Sequence, residues 1–87
     1  MKHLLYFYGD DCPHCKKVDV VAAKLEFEDG IKLDRIEVWH NKDNEKQMVR
    51  LDTEPCGGVP FLINLDTGKT ICGETTYEEM KKWAEGK

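Results

Sequence analysis

Two cysteines separated by two residues, Cys12-Pro13-His14-Cys15, directly follow the apolar run Leu4-Leu5-Tyr6-Phe7-Tyr8 and precede a helical pattern. That placement puts a thiol pair at a strand-to-helix junction. Pro13 suits the first helical position, where its fixed φ is already helical and its missing N–H would have no partner anyway. Cys12 then falls at the N-cap, facing free backbone N–H groups and the positive end of the helix dipole, both of which favour thiolate over thiol. A protonated His14 would add a positive charge nearby and tune that thiolate. The apolar positions Val18, Val21, Ala22 and Leu25 mark the buried face of the helix, and Cys15 lies three residues before Val18 on that face. The expected asymmetry is an accessible Cys12 that attacks a disulfide and a buried Cys15 that resolves the mixed disulfide.

The elements that must hold this pair read strand, helix, strand, helix, strand, strand, helix. Leu4 to Tyr8 is apolar on both faces, as in a central strand covered on each side. The first helix is expected over Pro13 to Glu28, stopping at Asp29-Gly30. Ile31 to Trp39 contains the second strand, with Ile36 and Val38 on one face and Arg35 and Glu37 on the other. A short helix over Asn44 to Leu51, with Met48 and Leu51 inward, leads to the loop Glu54-Pro55-Cys56-Gly57-Gly58. Phe61 to Leu65, an Asp66-Thr67-Gly68 turn and Lys69 to Cys72 form a hairpin. The last helix starts at Thr76, whose spacing to Glu79 is that of a capping box, and buries Tyr77, Met80, Trp83 and Ala84. The pattern describes one layered α/β domain over residues 1–87, with a parallel crossover and an antiparallel hairpin in a four-stranded sheet.

Bulk composition narrows the function classes. The 87 residues are 40% hydrophobic and 34% charged, with a net charge of −4. That balance lacks the basic stripe that nucleic acid binding requires, and no window approaches the ~18 apolar residues of a membrane span. A first strand starting almost at Met1 leaves no room for a signal peptide, so the expected compartment is the cytoplasm. Four cysteines there point to redox catalysis or metal binding rather than a permanent disulfide framework.

Cys12-Pro13-His14-Cys15 after a strand, with Val59-Pro60 at the head of a hairpin 45 residues beyond Cys15, resembles the thioredoxin superfamily over nearly the whole chain. At this length the resemblance is to the minimal thioredoxin fold, βαβαββα with sheet order 2-1-3-4 and helices on both faces, found in glutaredoxins and small thioredoxin-like proteins. It implies a cis Pro60, with the Val59 backbone presented beside the active disulfide so that an extended substrate adds to the sheet edge. Gly57 and Gly58 would permit that approach without side-chain clashes. The sequence departs from the family pattern in two places. Tyr6 stands where many thioredoxins carry a buried acid, and Asp11 stands where they carry Trp. Pro13-His14 is the dipeptide of the periplasmic oxidants, whereas the missing signal points to a reducing compartment. Cys72-Gly73-Glu74-Thr75 matches the glutathione-holding segment of glutaredoxins only in part.

The expected activity is therefore a thiol-disulfide oxidoreductase, a protein disulfide reductase working through Cys12 and Cys15. Pro13 and His14 shape the site, and Val59, Pro60 and Gly58 dock the substrate. No bound cofactor is expected beyond the redox-active disulfide itself. Partners would be protein or low-molecular-weight disulfides, with a separate reductase or glutathione as electron source and the chain a monomer. One alternative is a disulfide oxidant or isomerase. A second is a metal or iron–sulfur module using Cys12, Cys15 and Cys56. The spacing of Cys56, Cys72, His3 and His40 lacks the ligand rhythm of zinc. Cys56 is open to four readings: an auxiliary exchange thiol, an extra metal ligand, a plain surface or semi-buried thiol, or a bridge to Cys72. Cys72 otherwise reads as packing. Asp10 and Asp11 oppose the helix in its effect on Cys12. Tyr6, Phe7, Tyr8, Trp39 and Trp83 read as core.

Overall fold

The computed structural model describes residues 4–52 and 56–86. Glu54, Pro55 and His3, named above, lie outside the described residues. The elements are β1 (Leu4–Tyr8), α1 (Pro13–Asp29), β2 (Asp34–Glu37), α2 (Lys42–Leu51), β3 (Phe61–Asn64), β4 (Thr70–Cys72) and α3 (Tyr77–Glu85). They build one four-stranded mixed sheet in the order β2-β1-β3-β4. β1 runs parallel to β2 and antiparallel to β3, and β3 is antiparallel to β4. This order, with its directions, is the one the resemblance implies.

The alternation along β1 divides the core in two. Leu4 and Tyr6 point to one face, where they meet Leu62, the α1 residues Val18, Ala22 and Leu25, and the α3 residues Met80, Trp83 and Ala84. Leu5 and Phe7 point to the other face with Phe61 and Ile63, covered by Val38 and by Met48 of α2. Helices thus lie on both faces, α1 and α3 on one and α2 on the other. Register enforces the division: Tyr6 pairs with Leu62, and Phe7 pairs with Phe61, whose ring stacks on it at 5.9 Å.

Local signals account for most boundaries. Gly30 closes α1 in the left-handed conformation at φ 65°, which glycine adopts without a Cβ penalty. The Thr76 side chain accepts from the Glu79 N–H, so one half of the expected capping box forms at the start of α3. α2 begins two residues earlier than expected because Asn41 serves as its cap, accepting from the Asn44 N–H at 3.1 Å. Asn64 is buried at the end of β3, donating to the Trp83 carbonyl at 3.0 Å and accepting from Asp66 N–H at 2.9 Å. It ties the hairpin turn to the end of α3. No helix among the described residues is long and apolar enough to cross a membrane.

Trp39 departs from the expected core. It is 49% exposed and its indole lies across Gly9, where an added Cβ would come within 2.3 Å of the ring. β2 ends at Glu37, so only Val38 continues inward and Trp39 is carried onto the surface of the β1–α1 turn.

Candidate functional site

Three segments converge at the carboxyl end of β1. The first is the turn Gly9–Cys12, closed by the Cys12 N–H donating to the Gly9 carbonyl at 3.2 Å. Cys12 is the N-cap of α1 in extended conformation, Pro13 follows inside the first turn, and the Cys15 N–H donates to the Cys12 sulfur at 3.1 Å. A backbone donor aimed at Sγ favours a negative charge there. Cys12 and Cys15 are joined as a disulfide with their Cα atoms 5.2 Å apart.

The second segment is the loop entering β3. The Val59-Pro60 peptide is cis, Pro60 is buried, and the Val59 carbonyl oxygen lies 4.0 Å from the Cys12 sulfur. This proximity corrects the expected accessibility of Cys12. The residue is 3% exposed against 1% for Cys15, because the Val59-Pro60 loop covers it. The two sulfurs differ by position rather than burial: Cys12 faces the loop at the cap, and Cys15 lies inside the first helical turn. No hydrogen bond among the described residues engages the Val59 N–H. Gly57 has φ 79°, a conformation that requires glycine, and an added Cβ at Gly57 or Gly58 would meet nothing within 4 Å. Open space therefore flanks the loop. Next to it runs a groove of about 360 Å³, lined in part by Val38, Trp39, Met48, Val49, Gly58 and Val59.

The third segment is Gly73–Thr76, between β4 and α3. Glu74 there pairs with His14 at 2.7 Å and with Lys17 at 3.5 Å. The His14 hydrogen bond, with Lys17 adding to it, holds the Glu74 carboxyl below its ordinary range. His14 thus has a carboxylate partner that was not foreseen as such, although Glu74 belongs to the segment compared with the glutathione-holding stretch. Glu37 was also missed. Its carboxylate accepts from the N–H groups of Asp10, Trp39 and His40 at 3.0, 3.1 and 2.8 Å. Partial desolvation alone would raise its pKa, but these donors outweigh that effect and lower it. The carboxylate fixes the turn that delivers Cys12, and alternation along β2 marks Glu37 only as facing away from the core.

Tyr6, in place of a buried acid, donates to the Cys15 carbonyl at 2.9 Å. Burial first, and then the Asp19 carboxylate, raise its pKa far above the ordinary tyrosine range, so the phenol stays protonated.

Cys56 and Cys72 are joined as a second disulfide, with Cα atoms 5.6 Å apart. Of the readings open for Cys56, the bridge is the one seen; neither residue is a free thiol, and Cys72 is exposed rather than packed. The reason is geometric. Antiparallel pairing sets Cys72 opposite Phe61, which returns it to the head of β3 where the loop bearing Cys56 arrives. Cys56 consequently does not stand with Cys12 and Cys15 as a ligand trio. Among the described residues no group of three or more His, Cys, Asp or Glu side chains is arranged to hold a metal ion.

No protein-family model matches the sequence, and no curated protein matches it.

Proposed function

We propose that the protein is a thiol-disulfide oxidoreductase of thioredoxin-like type, acting as a protein disulfide reductase. The observation that carries this reading is the convergence of Cys12, as a helix N-cap receiving the Cys15 N–H on its sulfur, with the Val59-Pro60 loop 4.0 Å away. In the reduced protein the Cys12 thiolate attacks one sulfur of a substrate disulfide, whose second sulfur leaves as a thiolate and takes a proton from solvent. Cys15 then attacks the Cys12 sulfur of the mixed disulfide. The remaining substrate thiol departs, and the Cys12–Cys15 disulfide has gained the bond the substrate lost. Two electrons have moved to substrate, to be replaced by a separate reductase or by glutathione. The Val59 N–H, which has no hydrogen-bond partner among the described residues, supports docking by strand addition.

Titration in glutathione buffers, with alkylation of Cys12 and Cys15 read by mass, tests the direction of transfer. A midpoint at or below a cytosolic glutathione poise of roughly −220 to −320 mV supports a reductase. One near −120 mV, the range of strong periplasmic oxidants, overturns that direction in favour of an oxidant. Trapping tests the roles of the two sulfurs: Cys15→Ser accumulates a mixed disulfide through Cys12 when offered a peptide disulfide, and Cys12→Ser does not. Absence of any Cys12 adduct would sink the exchange reading itself.

A further inference from the structure

The second disulfide lies at the start of the loop that faces the first. Cys56 opens the segment that leads to Val59-Pro60, and Cys72, at the end of edge strand β4, is exposed to solvent. Among the described residues, four attachments hold this segment. The Asp52 carboxylate accepts from the Cys56 N–H at 2.9 Å and from the Gly57 N–H at 3.4 Å. Cys56 and Val59 pack on the cluster around Phe7 and Phe61. The Gly73 N–H donates to the Pro60 carbonyl at 2.9 Å. The Cys56–Cys72 bond is the sole covalent attachment of the four and joins the loop to β4. Between its ends, Gly57 and Gly58 give the backbone wide freedom that the bond removes.

We propose that Cys56–Cys72 is a second redox site, reducible in the folded protein by small thiols such as glutathione, whose state sets the order of the docking loop and hence exchange at Cys12. The inference rests on reading Val59 and Pro60 as that docking loop. Two glutathione thiols supply two electrons and two protons to the sulfur–sulfur bond. Cys56 and Cys72 become thiols, and the glutathione becomes its disulfide. Solvent access at Cys72 makes the attack feasible, since exposed disulfides are the labile ones. Once the bond opens, the loop keeps only its hydrogen bonds and packing, and the Val59 carbonyl facing Cys12 loses its fixed position.

The experiment uses the full chain. Cys12→Ser/Cys15→Ser isolates the second pair and is titrated in glutathione buffers, with thiols counted by alkylation and amide exchange followed at Cys56, Gly57 and Gly73, whose N–H groups anchor the loop. One two-electron step in the folded protein is expected, accompanied by exchange at these amides about tenfold faster, while amides of β1 are unchanged. In parallel, Cys56→Ser/Cys72→Ser and wild type keeping its Cys56–Cys72 bond, each with Cys12 and Cys15 reduced, are compared in single turnovers on a peptide disulfide at rising peptide concentration. A second-order rate constant about tenfold lower in the variant, mainly through weaker peptide binding, is expected. The proposal is overturned if Cys56–Cys72 resists reduction until the protein unfolds, or if its opening leaves both loop exchange and turnover unchanged. A wild type inert towards disulfides whose loop still loosens on reduction overturns the exchange reading and supports the second redox site.

Discussion

At Tyr6 a phenol occupies the place where the family resemblance sets an acid, and the substitution changes what the position can do. Its hydroxyl donates to the Cys15 carbonyl and remains protonated, so it orders the first turn of α1 instead of accepting a proton. Tyr6→Phe removes one buried hydrogen bond and should lower stability by about 1 kcal/mol in urea denaturation. In the proposed exchange, the proton released when Cys15 attacks would therefore go to another base or to water. Glu74 acts at the opposite side of the site, binding His14 and Lys17. With Glu74→Gln the site loses a carboxylate and the Lys17 charge is less compensated, which favours the Cys12 thiolate. The midpoint of the pH profile for alkylation of Cys12 should move to lower pH; a move to higher pH would remove Glu74 from the electrostatics of the site.

Elements were legible where a local signal set them. Pro13 and Gly30 bracket α1, Thr76 caps α3, and the apolar Leu4–Tyr8 run gives the central strand. The start of α2 is ambiguous in the sequence because Asn41 suits a turn as well as a cap, and only the Asn44 N–H decides. The dithiol and its loop were legible from spacing and family resemblance. Glu37, the Glu74 pairing and the burial of Cys12 were not, because each depends on segments far apart in sequence. The Cys56–Cys72 bridge was one reading among several, and strand register selected it. Its sequence separation of 16 gives the covalent loop a calculable effect on the unfolded chain. On the loop-closure model, Cys56→Ser/Cys72→Ser should cost about 3 kcal/mol relative to the oxidised protein, seen as a fall in Tm of roughly 12 to 24 °C. At the β1–α1 turn, Gly9→Ala would drive a methyl into the Trp39 ring. The indole must swing away, at a cost of about 1 to 3 kcal/mol measurable by denaturant unfolding.

At the scale of the whole molecule, acid stability follows from the two anchoring carboxylates. Glu37 and Glu74 are both held below their ordinary value of 4.5 in the folded protein. Their contribution is complete above that value and disappears as pH falls through the lower folded values. Thermal stability should therefore be insensitive to these groups from pH 7 to 5 and decline below 4.5, with a shallower decline in Glu37→Gln. An equally steep acid limb in that variant would show that Glu37 does not contribute to it. The anchors act on the two ends of one site, the Cys12 turn and the helix face carrying His14, so acid would loosen both together.

The central place of β1 has a consequence for the order in which the chain is made. Its parallel partner β2 is synthesised after α1, and its antiparallel partner β3 follows only at residues 61–64. The 45 residues from Cys15 to Pro60 take a ribosome about 2 to 9 s. During that interval the nascent chain carries Cys12 and Cys15 without the segment that covers them, and its sulfurs are open to capture by whatever thiol or disulfide the surroundings offer.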